Sequence, residues 1–336
     1  MVSFDILEDG HQILKSPSDE FDDWLNRAFK TRLATFGNQL VCYSPTAYPY
    51  QIKDHKQVHS DNFLSLSVTG TSCSLNCEHC DGHLLKGMES TITPDSLFER
   101  CAEIKNQGGE GVLISGGSDS KGHVPLDRFG KAIGRVKKEL GLQVVVHTGL
   151  VTPETASLLA KAEIDAAMLD IIGDGGVSSE VYHISDGPQK MRQSLDILEE
   201  HQIPTVPHVL VGLDYGRLKG EIEALQMISE GSPSAVVIIA LSPMRKTSME
   251  NVIPPSPENI GRIMTAARLG FPDIPILLGC ARPRGQHKID TDMYAIRSGM
   301  NGIALISQEG VDFAREKGLE PMFEDVCCSL AYRALL

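Results

Sequence analysis

Cys73, Cys77 and Cys80 follow closely on the apolar run 63–68. Their C-x3-C-x2-C spacing gathers three thiols on one short loop at the end of an expected strand. A metal centre held by three thiolates keeps one coordination position free for a substrate or cofactor, which is the arrangement of a catalytic site more than of a structural one. The spacing leaves a zinc knuckle open as an alternative, with His79 or His83 as fourth ligand, since zinc accepts Cys3His sites. Five further cysteines, Cys42, Cys101, Cys280, Cys327 and Cys328, bring the total to eight. Three are clustered and two are adjacent, which is not the even framework of a small secreted domain and points to metal ligation or catalytic thiols. Cys101 falls within a helical pattern, where a buried, inert thiol is expected.

The elements that must position these residues are legible as an alternation. Short apolar runs occupy 63–68, 111–115, 143–147, 166–171, 205–211, 235–240, 275–279 and 302–306. Amphipathic segments fall between and after them, at 94–106, 126–140, 153–160, 189–201, 218–229, 257–269, 287–297 and 310–317. Eight βα units in a row are what a closed parallel barrel needs, so the expected fold is α/β, a (βα)8 TIM-type barrel over 61–319. An open doubly wound sheet gives the same alternation. Residues 1–60 read as an N-terminal extension, with a helical patch at 21–29 and a Tyr/Pro-rich stretch at 41–50 whose prolines favour an extended arm. Residues 320–336 read as a cysteine-containing tail lying over the barrel mouth.

In a βα barrel the loops after the strands build the active face. The residues just beyond each run are Cys73, Cys77 and Cys80, then Ser115, Gly116, Gly117, Ser118 and Asp119, then His147 and Thr148, then Asp170 and Asp174. Later runs add Gly212 and Asp214, Ser242 and Pro243, and Cys280, Arg282 and Arg284. Gly116 and Gly117 let backbone come close to a ligand, although an ordinary tight turn uses glycine too. For His147, Asp170 and Asp214, helix capping or a supporting role stands beside direct ligand contact.

The C-x3-C-x2-C loop after the first strand of a βα barrel resembles the signature of the radical S-adenosylmethionine (SAM) enzymes. The resemblance implies that Cys73, Cys77 and Cys80 bind three irons of a [4Fe-4S] cluster and that the open iron chelates SAM. One electron then yields a 5'-deoxyadenosyl radical that takes hydrogen from an unactivated carbon. It also implies that Ser115, Gly116 and Gly117 meet the SAM amino group and that His79 and Gly212 lie against the adenine; His147 and Asp170 are further cofactor-binding candidates from their place on the active face. Within the superfamily, the segments around Gly117, Pro207-His208-Val209, Gly279-Cys280-Ala281-Arg282-Pro283 and Cys327-Cys328 look most like the biotin-synthase-related group that includes the two-component lipoyl synthases. That likeness implies sulfur insertion into a protein-bound octanoyl chain, with Cys42, Cys280, Cys327 and Cys328 as ligands of a second iron–sulfur cluster. Ordinary single-chain lipoyl synthase carries an N-terminal cysteine triplet where this chain has only Cys42. Biotin-type sulfur insertion and a single-cluster radical rearrangement are the alternatives within enzymes, and a non-catalytic metal-binding partner subunit is the alternative outside them. The implied partners are an electron donor such as ferredoxin or flavodoxin, a lipoyl-type acceptor protein and a second radical SAM protein.

Charge narrows the partners further. Lys and Arg number 31 against 44 Asp and Glu, a formal charge of −13, so binding to nucleic acid or an anionic membrane surface is not expected. No apolar stretch reaches transmembrane length and the N-terminus is acidic, which reads as a cytoplasmic protein.

Overall fold

The computed structural model describes residues 4–57 and 59–335. All eight apolar runs form strands: β2 (Phe63–Ser67), β4 (Gly111–Ser115), β5 (Gln143–His147), β6 (Ala166–Asp170), β7 (Thr205–Val211), β8 (Val236–Ala240), β9 (Ile276–Leu278) and β10 (Gly302–Ala304). They pair in parallel and in chain order. The crossovers include α3 (Pro94–Asn106), α5 (Pro153–Lys161), α7 (Gly187–Glu200), α8 (Glu221–Ser229), α9 (Pro257–Gly270), α10 (Gln286–Arg297) and α11 (Gln308–Glu316). Thr93, Thr152, Ser256 and Ser307 each cap a helix start by accepting a backbone N–H, and Pro94, Pro153 and Pro257 follow three of these caps. The segment 126–140, expected as one helix, divides into a 3-10 turn, α4 (Gly130–Arg135) and a π turn that ends at Gly141 with φ of 63°.

The sheet is not a closed eight-stranded barrel. It has eleven strands among the described residues, in the order β11-β1-β10-β9-β8-β7-β6-β5-β4-β2-β3. Here β1 (Gln39–Tyr43) and β11 (Glu320–Glu324) extend one edge, and β3 (Glu89–Ser90) extends the other. The start of the Tyr/Pro-rich stretch is therefore a strand, because Pro45 and Pro49 lie beyond its last residue and end it. Pro321 is tolerated because β11 is an edge strand. The N-terminal residues add α1 (Glu8–Lys15) and α2 (Ser18–Phe36), which pack on α9. Among the described residues no ladder joins the edge strands β11 and β3, so the sheet stays open between β11 and the β2–β3 side. Two side chains bridge that seam: Thr46 Oγ1 accepts the Phe63 N–H at 2.8 Å, and Asn62 Nδ2 donates to the Asp325 carbonyl at 3.0 Å.

Strand alternation divides the core in two. Val144, Val146, Ala167, Leu169, Val209 and Val211 pack beneath the helices, whereas Val145, Met168, Val206, Val237 and Leu277 face the interior of the curl. Inward positions Ala166, Ala235 and Ala304 are small and leave space. The C-terminal tail fills that space and does not lie over the mouth. Val326, Cys327, Cys328, Leu330 and Ala331 join the interior core, and Tyr332 Oη donates to the Asp165 carbonyl just before β6, at the opposite end of the strands from the active face. Among the described residues, no helix is long and apolar enough to cross a membrane.

Candidate active site

The loop after β2 brings Cys77 Sγ, Cys80 Sγ and a His79 ring nitrogen within 4.8 Å of one another. Among the described residues this is the one group of three or more ligand-type side chains so gathered. The Cys77 thiol is pushed up by its hydrogen bond to Cys80 and by burial, while Cys80 is held below the usual thiol range, first by Cys77 and then by His79. Cys73 stands against the loop after β4: a Cβ on Gly117 would lie 1.9 Å from the Ser72 carbonyl oxygen and 2.6 Å from Cys73 Cα, so only glycine fits there. The Gly117 N–H donates to Thr69 Oγ1 at 2.6 Å. His79 is buried, its Nδ1 has no hydrogen-bond partner, and its ring stacks on Tyr182 at 5.0 Å. His83 is not part of this group, its Nδ1 lying 3.1 Å from the Cys80 carbonyl. A soft donor set with an unpartnered buried nitrogen suits a thiolate-bound metal centre.

The segment leaving α6 (Gly175–Val181), a helix absent from the sequence expectation, straps this loop down. The Val181 carbonyl accepts the Glu78 N–H at 2.9 Å. His183 places Nδ1 2.6 Å from the Leu75 carbonyl and Nε2 3.1 Å from Glu78 Oε1. Ser248, from beyond β8, hydrogen-bonds to the Glu78 carbonyl at 3.1 Å and to its carboxylate.

Tyr182 carries the site inward. Its Oη donates to Asp170 Oδ2 at 2.8 Å, and Asp170 Oδ1 lies 3.5 Å from His147 Nε2. His147 and His208 meet at 5.7 Å, edge to face, and His208 Nδ1 lies 3.0 Å from the Val206 carbonyl. Because a carbonyl only accepts, His208 carries its proton on Nδ1 and leaves Nε2 as an acceptor. Burial, with the nearby His147 charge, pushes His208 down to about 4, so it is neutral at pH 7. For His147, burial pulls downward but Asp170 outweighs it, and the net shift is upward. Burial raises the Asp170 carboxyl, yet His147, His208 and Tyr182 together hold it well below the usual carboxylate range. The result is a His147 ring held at Nε2 by Asp170 beside a neutral acceptor on His208, with the partly exposed Leu113 and Ile239 packed against the interior core.

The remaining candidates separate. Ser115 Oγ donates to the His147 carbonyl at 2.9 Å, and Gly116 packs on Thr69, so both lie on the active face. Gly212, at φ of 81° and pressed against Pro255, donates its N–H to the buried Glu221 carboxyl at 2.8 Å. Asp174 caps α6 and Asp214 pairs with Arg217 across a turn. Arg282 points into the helix layer, where it pairs with Asp292 at 2.8 Å, both side chains at most 1% exposed. Cys101 is fully buried, as expected. The four cysteines assigned to a second cluster are not brought together as a set: Cys42 packs in the helix-side core, while Cys327 and Cys328 lie in the interior core. Cys42 falls outside because it alternates with Val41 and Tyr43 on β1, and those two take the inward positions. Cys280 is exposed at the end of β9, within electrostatic reach of Cys327.

Tyr182 and the strap residues Glu78, His183 and Ser248 carried no sequence signal. His208 did carry one: it shares the inward register of Val206 and Leu210 on β7.

No protein-family model matches the chain, and no curated protein matches it in sequence. Its backbone, however, superposes on methylornithine synthase (PylB) with a TM-score of 0.69 at 17% identity, over 100% of this chain and 97% of that one. HydG, a maturase of the [FeFe]-hydrogenase, gives 0.68 at 16% identity over 97% of this chain and 73% of that one. The fold is theirs. Streptococcus suis SuiB, solved with S-adenosylmethionine bound, gives 0.52 at 14% identity over 67% of this chain and 51% of its own.

Proposed function

We propose that this chain is a radical SAM enzyme that inserts sulfur into an octanoyl chain carried on a lipoyl-type acceptor protein. The cysteine loop carries the reading: Cys77 and Cys80 converge, Cys73 stands against a wall only glycine can form, and the loop follows the first strand of the eight-unit series. The likeness in fold to three radical SAM enzymes supports the class. Cys73, Cys77 and Cys80 would hold a [4Fe-4S] cluster, which when bound with SAM supplies a carbon-centred radical able to remove hydrogen from an unactivated carbon.

The chain's own residues do the rest. Thr69 fixes the Gly117 N–H, which keeps the glycine wall close to Cys73. Tyr182 supports His79 by stacking and Asp170 by its hydroxyl, so one side chain couples the cysteine loop to the inner polar layer. His208, beside the Asp170-held His147, presents an acceptor to the polar end of the substrate, while Leu113 and Ile239 suit an alkyl chain. Ferredoxin or flavodoxin would supply the electron, and a second radical SAM protein would share the two insertions.

Reaction of the anaerobically reconstituted, reduced protein with SAM tests the class. 5'-Deoxyadenosine is expected, and Cys77→Ala should lower it at least about 100-fold, as loss of a ligand removes the open-iron site. If neither holds, a non-catalytic metal-binding subunit is the better description. Mass spectrometry of an octanoylated acceptor peptide then tests the substrate. A single-cluster rearrangement is the second reading, favoured by the position of Cys42 on the helix side and by the fold of methylornithine synthase. A second cluster would have to be held without Cys42, and iron content distinguishes the cases at about four against about eight irons per chain.

A further inference from the structure

A cavity of about 400 Å³ opens beside the strap, between the turn after β4 and the first turns of α7. Lys121, in the turn, stands on one wall, and His183 and Lys190 stand on the other. We propose that this cavity binds a small organic anion, a carboxylate or phosphate on an apolar body, and that the bound anion stiffens the cysteine loop. The site stands whichever reaction the loop serves.

Charge selects the ligand. Every titratable side chain lining the cavity is basic, namely Lys121, His123, His183 and Lys190, although the chain carries 44 acidic residues against 31 Lys and Arg. Lys121 and Lys190 have no ion-pair partner among the described residues. The adjoining Asp119 spends Oδ1 on the N–H groups of Lys121 and His123, at 2.8 and 3.0 Å, and places Oδ2 3.5 Å from His123 Nδ1. His183 meets an acceptor at both ring nitrogens, the Leu75 carbonyl at 2.6 Å and Glu78 Oε1 at 3.1 Å. A carbonyl and a carboxylate only accept, so both nitrogens donate and the ring is a cation. Leu150 and Ile184 supply an apolar floor, which a bare inorganic ion would leave uncovered. The walls are also preformed. Gly122, at φ of 94°, joins them, since a Cβ there would lie 3.0 Å from Ile184 Cδ1 and 3.1 Å from Leu150 Cδ1.

Both walls hold the cysteine loop. From one side the Ser118 carbonyl accepts the Ser74 N–H at 2.8 Å, and from the other His183 grips Leu75 and Glu78. An anion shared by Lys121, Lys190 and His183 draws the two walls together and tightens both grips. Linkage makes the effect reciprocal, so whatever orders the loop strengthens binding of the anion.

The test uses the full-length, anaerobically reconstituted protein without SAM. Hexanoate, hexyl phosphate and the neutral hexanamide are titrated by calorimetry, and lysine reactivity is read by reductive methylation with peptide mass spectrometry. At least one of the two anions should bind saturably and protect Lys121 and Lys190 but not the exposed Lys138, with hexanamide at least about tenfold weaker. The tighter anion identifies the headgroup. Lys121→Met combined with Lys190→Met should weaken that anion at least about tenfold, and because both lysines reach the surface the double variant should keep its Tm. Hydrogen exchange across 73–80 should slow several-fold with the anion in wild type and stay unchanged in the double variant. Absence of saturable binding, equal binding of hexanamide or unaltered affinity in the double variant overturns the site. Binding without slower exchange overturns its hold on the cysteine loop.

Discussion

At the scale of single residues, the clearest division is between charges that serve the site and charges that hold the scaffold. Arg282 follows a strand toward the active face, yet its guanidinium donates to the Gly279 carbonyl at 2.8 Å, to the Leu305 carbonyl at 3.3 Å and to Asp292. Asp292 in turn accepts the Ser307 N–H at 2.7 Å at the start of α11. The pair therefore ties β9, α10 and the β10–α11 turn together in a fully buried space. Removing one member leaves the other charge buried alone, which costs about 3–5 kcal/mol, whereas removing both with apolar replacements costs much less than the sum. Arg282→Met and Asp292→Leu should each lower the urea midpoint strongly, and the double variant should recover part of the loss. Additive losses would mean that the two side chains act separately.

At the scale of elements, the cysteine loop was legible because covalent spacing places its thiols on one turn whatever surrounds it. The strands from Phe63 to Ala304 were legible because each is a short apolar run between helices with strong caps, such as Thr93-Pro94 and Ser256-Pro257. β1 and β11 were not, since Pro45, Pro49 and Pro321 are strand breakers in a list of residues and harmless at a strand's end or on a sheet edge. Tyr182 was not, because it reaches Asp170 from irregular chain after α6, and no periodicity marks such a position. Helix α8 shows a buried group with a measurable consequence. Glu221, at its first turn and 5% exposed, is raised to about 7 by burial, the Gly212 N–H only partly offsetting it. A carboxyl whose folded pKa lies above its unfolded value binds more protons in the native state, so stability falls as pH rises from the unfolded pKa, near 4.5, to about 7 and is level above that. The span corresponds to about 3 kcal/mol. Glu221→Gln keeps an acceptor for Gly212 and cannot ionise, so its Tm should change less than wild type between pH 5 and pH 8 and exceed it at pH 8. Parallel pH profiles would show that folding leaves the Glu221 pKa where it lies in the unfolded chain.

At the scale of the whole molecule, the tail decides whether the curled sheet has an interior at all. A barrel normally fills its middle with side chains from its own strands. Here Ala166, Ala235 and Ala304 leave part of that volume to Val326, Cys328, Leu330 and Ala331, which arrive from the far end of the sequence. The tail is anchored at both ends. Near the seam, Asp325 accepts from Ser44 Oγ at 2.5 Å, lies 2.8 Å from His55 Nε2 and offers its carbonyl to Asn62. At the other end, Tyr332 and Arg333 both reach Asp165, which is 1% exposed and already paired with Lys137 at 2.7 Å. Leu330 is 5% exposed, and its truncation opens a void that no neighbouring strand can fill, so Leu330→Ala should cost about 2–5 kcal/mol. Arg333 is nearly half exposed, and Asp165 keeps Lys137 without it, so Arg333→Ala should cost under about 1 kcal/mol. Chemical denaturation of the two variants reads the difference directly. A small effect of Leu330→Ala would mean that the sheet closes on itself without the tail, and the polar layer of His147, Asp170 and His208 would then need no floor beneath it.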